Sequence, residues 1–216
     1  MVKLTTSVLK LYLHCFCIIP HFNKGIIMHK KEVLPIIPST EMYKGEATAP
    51  VELVLFGDYE SNETRQLNEI LNDVLENFEG KVKLIFRHFP MTQVHQRAHK
   101  AAEAAIAAGQ EGKFWEMHQL LMDRPHSLGI TALKSHAREV GVVNKKFLEQ
   151  LMNSDYGWNV QDDLRAGIEL GIRDIPALLI NGKMMEKPLS LSRINKNIET
   201  ELKQFSSSKT KKRVAA

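Results

Sequence analysis

Two hydroxyl side chains three residues apart, Ser61 and Thr64, occupy the position in the sequence that most suggests chemistry. They follow an apolar run, Val51–Phe56, and the loop Gly57-Asp58-Tyr59-Glu60, and they open a segment whose apolar residues recur at helical spacing. A hydroxyl at a helix start can cap the helix, because its oxygen accepts a hydrogen bond from an unpaired backbone N–H group. The same position can bind an anionic ligand, since free N–H groups and the helix dipole favour negative charge.

The sequence gives little support for a hydrolytic site or a metal site. Ser61 lacks the G-x-S-x-G sequence of a nucleophile elbow, and nothing places a histidine as its base. His95 and His99 are four residues apart, but no carboxylate pattern of the H-E-x-x-H kind accompanies them. Cys15 and Cys17 are too close for a relaxed disulfide, and two ligands do not complete a tetrahedral zinc site. We therefore predict no metal site.

Positive charge is concentrated at the two ends of the 216-residue chain. The first 31 residues hold five lysines and the last 11 hold four basic residues, and neither stretch contains an acid. Since the whole chain carries a net charge of +4, about −5 remains on the residues between them. A nucleic-acid groove on the folded domain is therefore not expected. The length suits one domain whose core needs neither disulfides nor metals.

The chain ends predict a leader and a tail. Residues 4–20 form a mostly apolar run, a weak candidate for a signal peptide, but Lys10 and His14 interrupt it and it is too short and polar to span a membrane. Met28 is an alternative start, which favours a cytoplasmic protein. We predict an N-terminal extension and leader over residues 1–44, one domain over 45–205, and a basic disordered tail over 206–216.

The elements that position the two hydroxyls are predicted from periodicity and from Gly and Pro boundaries. Asn181-Gly182 is a type I′ hairpin signal between two short strands. The predicted elements are strand 51–56, a helix from about 65 to 78, strand 81–89, several helices between 95 and 170, strands 177–180 and 183–186, and a final helix over 189–205.

This order and several separate motifs resemble the DsbA-like branch of the thioredoxin fold, which includes bacterial disulfide oxidoreductases and thioredoxin domains associated with sodium/proton antiporters. The motifs are Phe56-Gly57-Asp58-Tyr59-Glu60 at the helix start, Phe89-Pro90, Ala101–Ala105 and Gly112–His118 in the helical insert, and Gly171–Gly182 at the cis-proline loop. The resemblance implies an α/β thioredoxin fold with a helical insertion at about residues 92–170.

Ser61 and Thr64 stand where this family has its two redox cysteines. In active members the first cysteine is stabilised as a thiolate by the helix N-terminus and attacks a disulfide sulfur. A hydroxyl is a far weaker acid and forms no such cross-link, so we predict a protein without disulfide chemistry. Kappa-class glutathione transferases are similar in placing a serine at the first position. A glutathione-dependent transferase or isomerase that uses Ser61 is therefore the alternative.

The resemblance also implies that Pro176 is cis and faces the helix start, so that the backbone of Ile175 can pair with an extended peptide or with glutathione. The simpler interpretation is that Pro176 only fixes its loop. The leading hypothesis is a module that binds a peptide, a partner protein or a small thiol, without a cofactor other than glutathione. The ligand-binding candidates are Tyr59, Ser61, Thr64, Ile175 and Pro176.

Asp58 and Glu60 are the remaining candidates near the helix start. In an active relative a carboxylate here can accept the proton of a thiol. Because this chain has no thiol at positions 61 and 64, we expect the two carboxylates to serve the helix dipole or local hydrogen bonds instead.

Overall fold

The structure of this protein is a computed structural model that describes residues 36–214, with side chains as far as residue 207. The apolar run at 4–20, the cysteine pair Cys15 and Cys17, and Met28 lie outside the described residues. Within the described part, no helix is long and apolar enough to cross a membrane.

The described residues form a mixed α/β fold. A 3₁₀ helix, Ser39–Glu41, comes first. The strands are β1 Tyr43–Gly45, β2 Val51–Gly57, β3 Val82–His88, β4 Ala177–Ile180 and β5 Lys183–Met184. The helices are α1 Asn62–Asn77, α2 Ala98–Gly109, α3 Phe114–Asp123, α4 Ile130–Glu139, α5 Phe147–Met152, α6 Gly157–Glu169 and α7 Leu191–Val214. The predicted helical insert is confirmed as α2 to α6.

The five strands form one sheet in the order β1-β3-β2-β4-β5. The central pair, β2 and β3, is parallel and is joined by α1, whereas β2 and β4 are antiparallel. Successive side chains of a strand point to opposite faces, so Leu53 and Leu55 enter the main core while Val54 and Phe56 enter a second apolar cluster. The sheet is therefore covered on both faces, which explains the near-continuous apolar sequence of β2.

Helix α6 packs closely against the second apolar cluster. A Cβ atom on Gly167 would come within 2.7 Å of the Phe89 ring and 3.1 Å of the Phe56 ring. Ile172 and Ile175, which follow α6, are buried in the same cluster. The close approach at Gly167 therefore fixes the segment that leads into Pro176.

The folded domain begins before the predicted boundary at residue 45. Strand β1 pairs antiparallel with β3, Met42 is buried in the main core, and the Ser39 hydroxyl donates a hydrogen bond of 2.6 Å to Asp163. The sequence analysis missed β1 because a strand of three residues shows no readable alternation. Residues 36–44 belong to the domain, so their assignment to a leader was wrong.

The final helix is longer than predicted. Helix α7 continues to Val214, whereas we expected a disordered tail from residue 206. No Gly or Pro interrupts it, and the hydroxyls of Ser206 and Ser207 donate to the carbonyls of Leu202 and Gln204. These serines therefore bond to the preceding turn of the helix and do not end it.

The predicted type I′ hairpin is confirmed between β4 and β5. Both of its central residues, Asn181 and Gly182, have positive φ angles, of 48° and 76°. The side-chain oxygen Oδ1 of Asn181 also accepts a hydrogen bond of 2.8 Å from the backbone N–H of Glu52, which ties the hairpin to β2.

Two buried histidines lie among aromatic rings where α3 meets the sheet. His118 accepts a hydrogen bond at Nδ1 from the Tyr59 hydroxyl, at 3.1 Å, and donates from Nε2 to the side-chain oxygen Oδ1 of Asn68, at 3.0 Å. His88 is 1% exposed, and neither of its ring nitrogens has a hydrogen-bond partner among the described residues. Burial lowers the pKa of His88 to about 4 and the pKa of His118 to about 3. Both imidazoles are therefore neutral in the folded protein at pH 7.

We expect the protein to lose stability in mild acid. The pKa of each histidine is 6.5 when unfolded and lower when folded, so between pH 6.5 and the folded pKa only the unfolded state gains the proton. Stability is full above pH 6.5 and falls as the pH drops. By pH 5 the loss is about 2 kcal/mol for each histidine, measured as the free energy of unfolding in urea.

The two histidines should respond differently to replacement by leucine. His88→Leu should remove its share of the acid sensitivity at little cost at pH 7, because no hydrogen bond is lost. His118→Leu should cost stability at pH 7, since it leaves the Tyr59 hydroxyl and the side-chain oxygen of Asn68 unpaired. An unchanged pH dependence in His88→Leu would show that His88 is not buried as a neutral ring.

Candidate functional site

The turn between β2 and α1 holds the two hydroxyls predicted to matter. The Ser61 oxygen accepts a hydrogen bond of 3.1 Å from the N–H of Thr64, and its hydroxyl donates to Glu63 at 3.2 Å. Ser61 is the N-cap of α1, as the capping interpretation predicted. It is only 5% exposed, and Thr64 is fully buried. Neither hydroxyl is therefore presented to solvent.

Asp58 connects this turn to the loop after β3. Its carboxylate is fully buried and accepts hydrogen bonds from the N–H groups of Glu60, at 2.7 Å, and Met91, at 2.8 Å. The same carboxylate bonds to Nδ1 of His95 at 2.9 Å. Asp58 thus serves local hydrogen bonding, as expected in the absence of a thiol.

Glu60 caps a different helix from the one it precedes. One of its carboxylate oxygens accepts hydrogen bonds from the N–H groups of Arg97, at 2.7 Å, and Ala98, at 2.9 Å, at the start of α2. Helix α2 has no side-chain cap from its own N-cap residue. A carboxylate at this end also complements the helix dipole. Sequence spacing does not reveal this contact, because 37 residues separate Glu60 from Arg97.

Tyr59 is a core residue and does not line a cleft, which corrects its assignment as a ligand-binding candidate. It is 1% exposed, and its ring packs against Phe86 and His118. Tyr59 and Glu60 are the two central residues of a turn in which the N–H of Ser61 donates to the backbone carbonyl of Asp58 at 3.1 Å. Gly57 is required beside it, because a Cβ there would lie 2.3 Å from the Thr64 methyl group.

The proline loop lies beside the end of β2. The Ile175–Pro176 peptide bond is cis, and the next residue, Ala177, pairs with Phe56. Ile175 is 8% exposed. Its N–H donates to the side chain of Asp174 at 2.9 Å, so this recognition donor is occupied rather than free as we predicted.

The carboxylate of Asp174 also pairs with a lysine that follows β5. Its second carboxylate oxygen lies 2.5 Å from Nζ of Lys187, and this partner holds the pKa of Asp174 below its usual value. Both side chains are more than half exposed, so the pair is screened by solvent and is readily opened.

A groove of about 310 Å³ runs between α1 and the proline loop; we call it the α1 groove. Its apolar surface comes from Leu67, Ile70, Pro176, Pro188 and Leu189, and its polar rim from Glu63, Gln66 and Lys187. Of the predicted candidates, Pro176 lines this groove directly, while Ser61 and Thr64 lie buried at the start of the helix that forms its wall.

The sequence analysis missed most of the groove. On α1, residues 63, 66, 67 and 70 share one face at spacings of three and four, which is the one signal that could have indicated a wall. The opposite wall, residues 187–189, is an irregular segment without periodicity. Only tertiary packing brings it to Pro176.

Residues 38–200 match the Thioredoxin_4 family, whose description is thioredoxin. This range covers most of the chain and nearly all of the described fold. The chain belongs to the Thioredoxin_4 family. Within this family, the chain has a DsbA-like form of the fold, with the helical insert between β3 and β4, so the predicted fold class and resemblance are confirmed.

Solved structures of DsbA-like proteins share the fold. BdbD from Bacillus subtilis, in its oxidised form, superposes with a TM-score of 0.69 at 24% identity, covering 77% of this chain and 96% of that one. The thiol-disulfide exchange protein α-DsbA2 from Wolbachia pipientis gives a TM-score of 0.62 at 20% identity, covering 73% and 85%. At these identities the likeness establishes the fold alone.

Several curated sequences that resemble this chain are named sodium/proton antiporters. NhaA 1 from Salinispora arenicola is 30% identical over 151 residues, which make up 70% of this chain and 23% of the antiporter. NhaA from Nitrosospira multiformis is 24% identical over 155 residues, or 71% and 25%. This Thioredoxin_4 chain therefore spans about a quarter of the length of the antiporters it matches.

Replacing the α1 cap tests the assigned role of Ser61. Ser61→Ala should lower the free energy of unfolding by about 1 kcal/mol, because the N–H of Thr64 loses its acceptor. Ser61→Asn supplies another capping oxygen and should retain most of the stability. Urea unfolding measures both. Equal stability of Ser61→Ala and the native chain would contradict the cap.

Proposed function

We propose that this chain is a DsbA-like thioredoxin module that carries out no disulfide chemistry and binds an extended peptide segment of a partner protein. The observation that carries the proposal is the α1 groove, a largely apolar groove between α1 and the cis-proline loop. At the start of α1, Ser61 and Thr64 occupy the two positions where the DsbA-like family has cysteines.

The absence of thiols from the domain supports the first half of the proposal. The two cysteines of the chain are Cys15 and Cys17, so residues 36–214 contain none. Ser61 and Thr64 form the hydrogen bonds of a helix start, and a hydroxyl there cannot replace a thiolate as the nucleophile in disulfide exchange. The two hydroxyls therefore stabilise the start of α1 and take no part in disulfide exchange.

The groove offers both parts of peptide recognition. Its apolar surface can take one or two aliphatic side chains, and Lys187 and Glu63 on the rim can meet charges of either sign. The backbone of Ile175 can add main-chain hydrogen bonds to an extended peptide. Because Asp174 occupies the Ile175 N–H, a peptide carbonyl must displace that carboxylate to bind.

The glutathione-dependent alternative has less support from the site. A serine that activates a bound thiol must present its hydroxyl to the ligand. Here Ser61 is nearly buried, accepts from Thr64 and donates to Glu63. We therefore keep glutathione as a comparison ligand in the binding experiment.

The named relatives suggest a class of partner. The matching stretch in each of those antiporters is about a quarter of a membrane transport protein. A peptide segment of such a transporter is accordingly the partner we would test first.

Peptide binding should depend on the apolar surface of the α1 groove. The probe is a panel of fluorescein-labelled decapeptides with leucine at alternate positions, measured by fluorescence anisotropy, with glutathione as a competitor. Leu189→Gln should weaken binding at least fivefold, because the residue lines the groove. Leu170→Gln, an exposed leucine outside the groove, is the matched control and should bind as the native chain does. Equal affinities of the two variants would refute the groove, and full competition by millimolar glutathione would favour the alternative.

Removing the internal competitor should strengthen binding. Asp174→Ala frees the N–H of Ile175, so we expect the same peptides to bind several times more tightly. Asp162→Ala removes an equal charge from an exposed site on α6 and controls for the change in net charge. Unchanged or weaker binding in Asp174→Ala would show that the Ile175 backbone does not contact the peptide.

A further inference from the structure

A second cavity, the α4–α5 pocket, lies in the helical insert and shares no residue with the α1 groove. Its volume is about 330 Å³, and α4, the loop after it and α5 form its walls. Three cations, Lys134, Arg138 and Lys145, line it together with apolar residues that include Val142 and Phe147. No carboxylate is among its lining residues.

The three cations carry uncompensated charge. Among the described residues, the side chains of Lys134, Arg138 and Lys145 take part in no ion pair or hydrogen bond. Some other cations of the insert are paired: Lys113 lies 3.0 Å from Glu116, and Lys100 lies 2.9 Å from Glu103. Lys134 and Arg138 are one turn apart on α4, so they project from the same face of the helix.

Two acids near the pocket accept hydrogen bonds from groups other than the three cations. Glu139 follows Arg138 directly but accepts two hydrogen bonds from Arg124, at 2.8 and 2.7 Å. Glu111 accepts the N–H groups of Val143 and Asn144, at 2.9 and 3.2 Å, and so fixes the loop that forms the pocket wall. Glu139 and Glu111 therefore do not pair with the three cations that line the pocket.

We infer that the α4–α5 pocket binds a phosphate group carried on an apolar body. A phosphate monoester has the charge to meet three cations, and the planar guanidinium of Arg138 can bind two of its oxygens at once. The buried side chains of Val142 and Phe147 provide a surface for the apolar body. The ligand is either a small soluble phosphate ester or the headgroup of an anionic phospholipid.

Calorimetric titration of the full chain with phenyl phosphate tests the site. The triple variant Lys134→Gln, Arg138→Gln, Lys145→Gln should lose at least tenfold in affinity. The control, Lys81→Gln, Lys196→Gln, Lys203→Gln, removes the same number of charges from exposed positions outside the pocket and should bind as the native chain does. Circular dichroism and a urea titration establish that both triple variants are folded.

Vesicle sedimentation separates the two sources of the phosphate. Recruitment to vesicles that contain phosphatidic acid, lost in the pocket variant and kept in the control, assigns a lipid headgroup. Pocket-dependent binding of phenyl phosphate without such recruitment assigns a soluble ester. The inference is overturned if the native chain binds neither probe, or if the two triple variants bind both probes equally.

Discussion

The turn between β2 and α1, which carries Ser61, is held in place by the buried carboxylate of Asp58. This carboxylate joins two pieces of chain that are distant in sequence: the turn after β2, and the loop after β3, where it accepts the N–H of Met91 and bonds to the side chain of His95. A carboxylate that is removed from water needs such donors, and losing them would cost more than the bonds themselves contribute. The turn can therefore adopt few conformations, and α1 starts where Asp58 and Ser61 place it.

The five residues Phe56 to Glu60 each have a structural task that requires no thiol. Phe56 fills the second apolar cluster, Gly57 admits the Thr64 methyl group, and Tyr59 fills the core. Asp58 and Glu60 accept backbone N–H groups of other segments. These contacts hold the turn with oxygen at positions 61 and 64, and the α1 groove and the proline loop, where we propose that a peptide binds, lie beside it.

The sequence predicted the elements that follow a period or a local turn rule. Strand β2, the apolar stripe of α1 and the Asn181-Gly182 hairpin all depend on residues close in sequence, and all three are present. The roles of Glu60 and Tyr59 depend on partners in β3, α2 and α3, so no local pattern encodes them. For the same reason the segment Lys187 to Leu189 was missed, although it forms one wall of the α1 groove.

The central claim is that this chain lacks disulfide chemistry only because it lacks the two cysteines. Reduction of insulin disulfides in the presence of dithiothreitol tests this claim most directly. The native chain should give only the uncatalysed rate, and Ser61→Cys combined with Thr64→Cys should accelerate the reaction. Both proteins should also be measured with Cys15→Ser and Cys17→Ser, so that the leader cysteines contribute nothing. Catalysis by the native chain that disappears with Cys15→Ser and Cys17→Ser would contradict the proposal, as would a folded double cysteine variant with no activity.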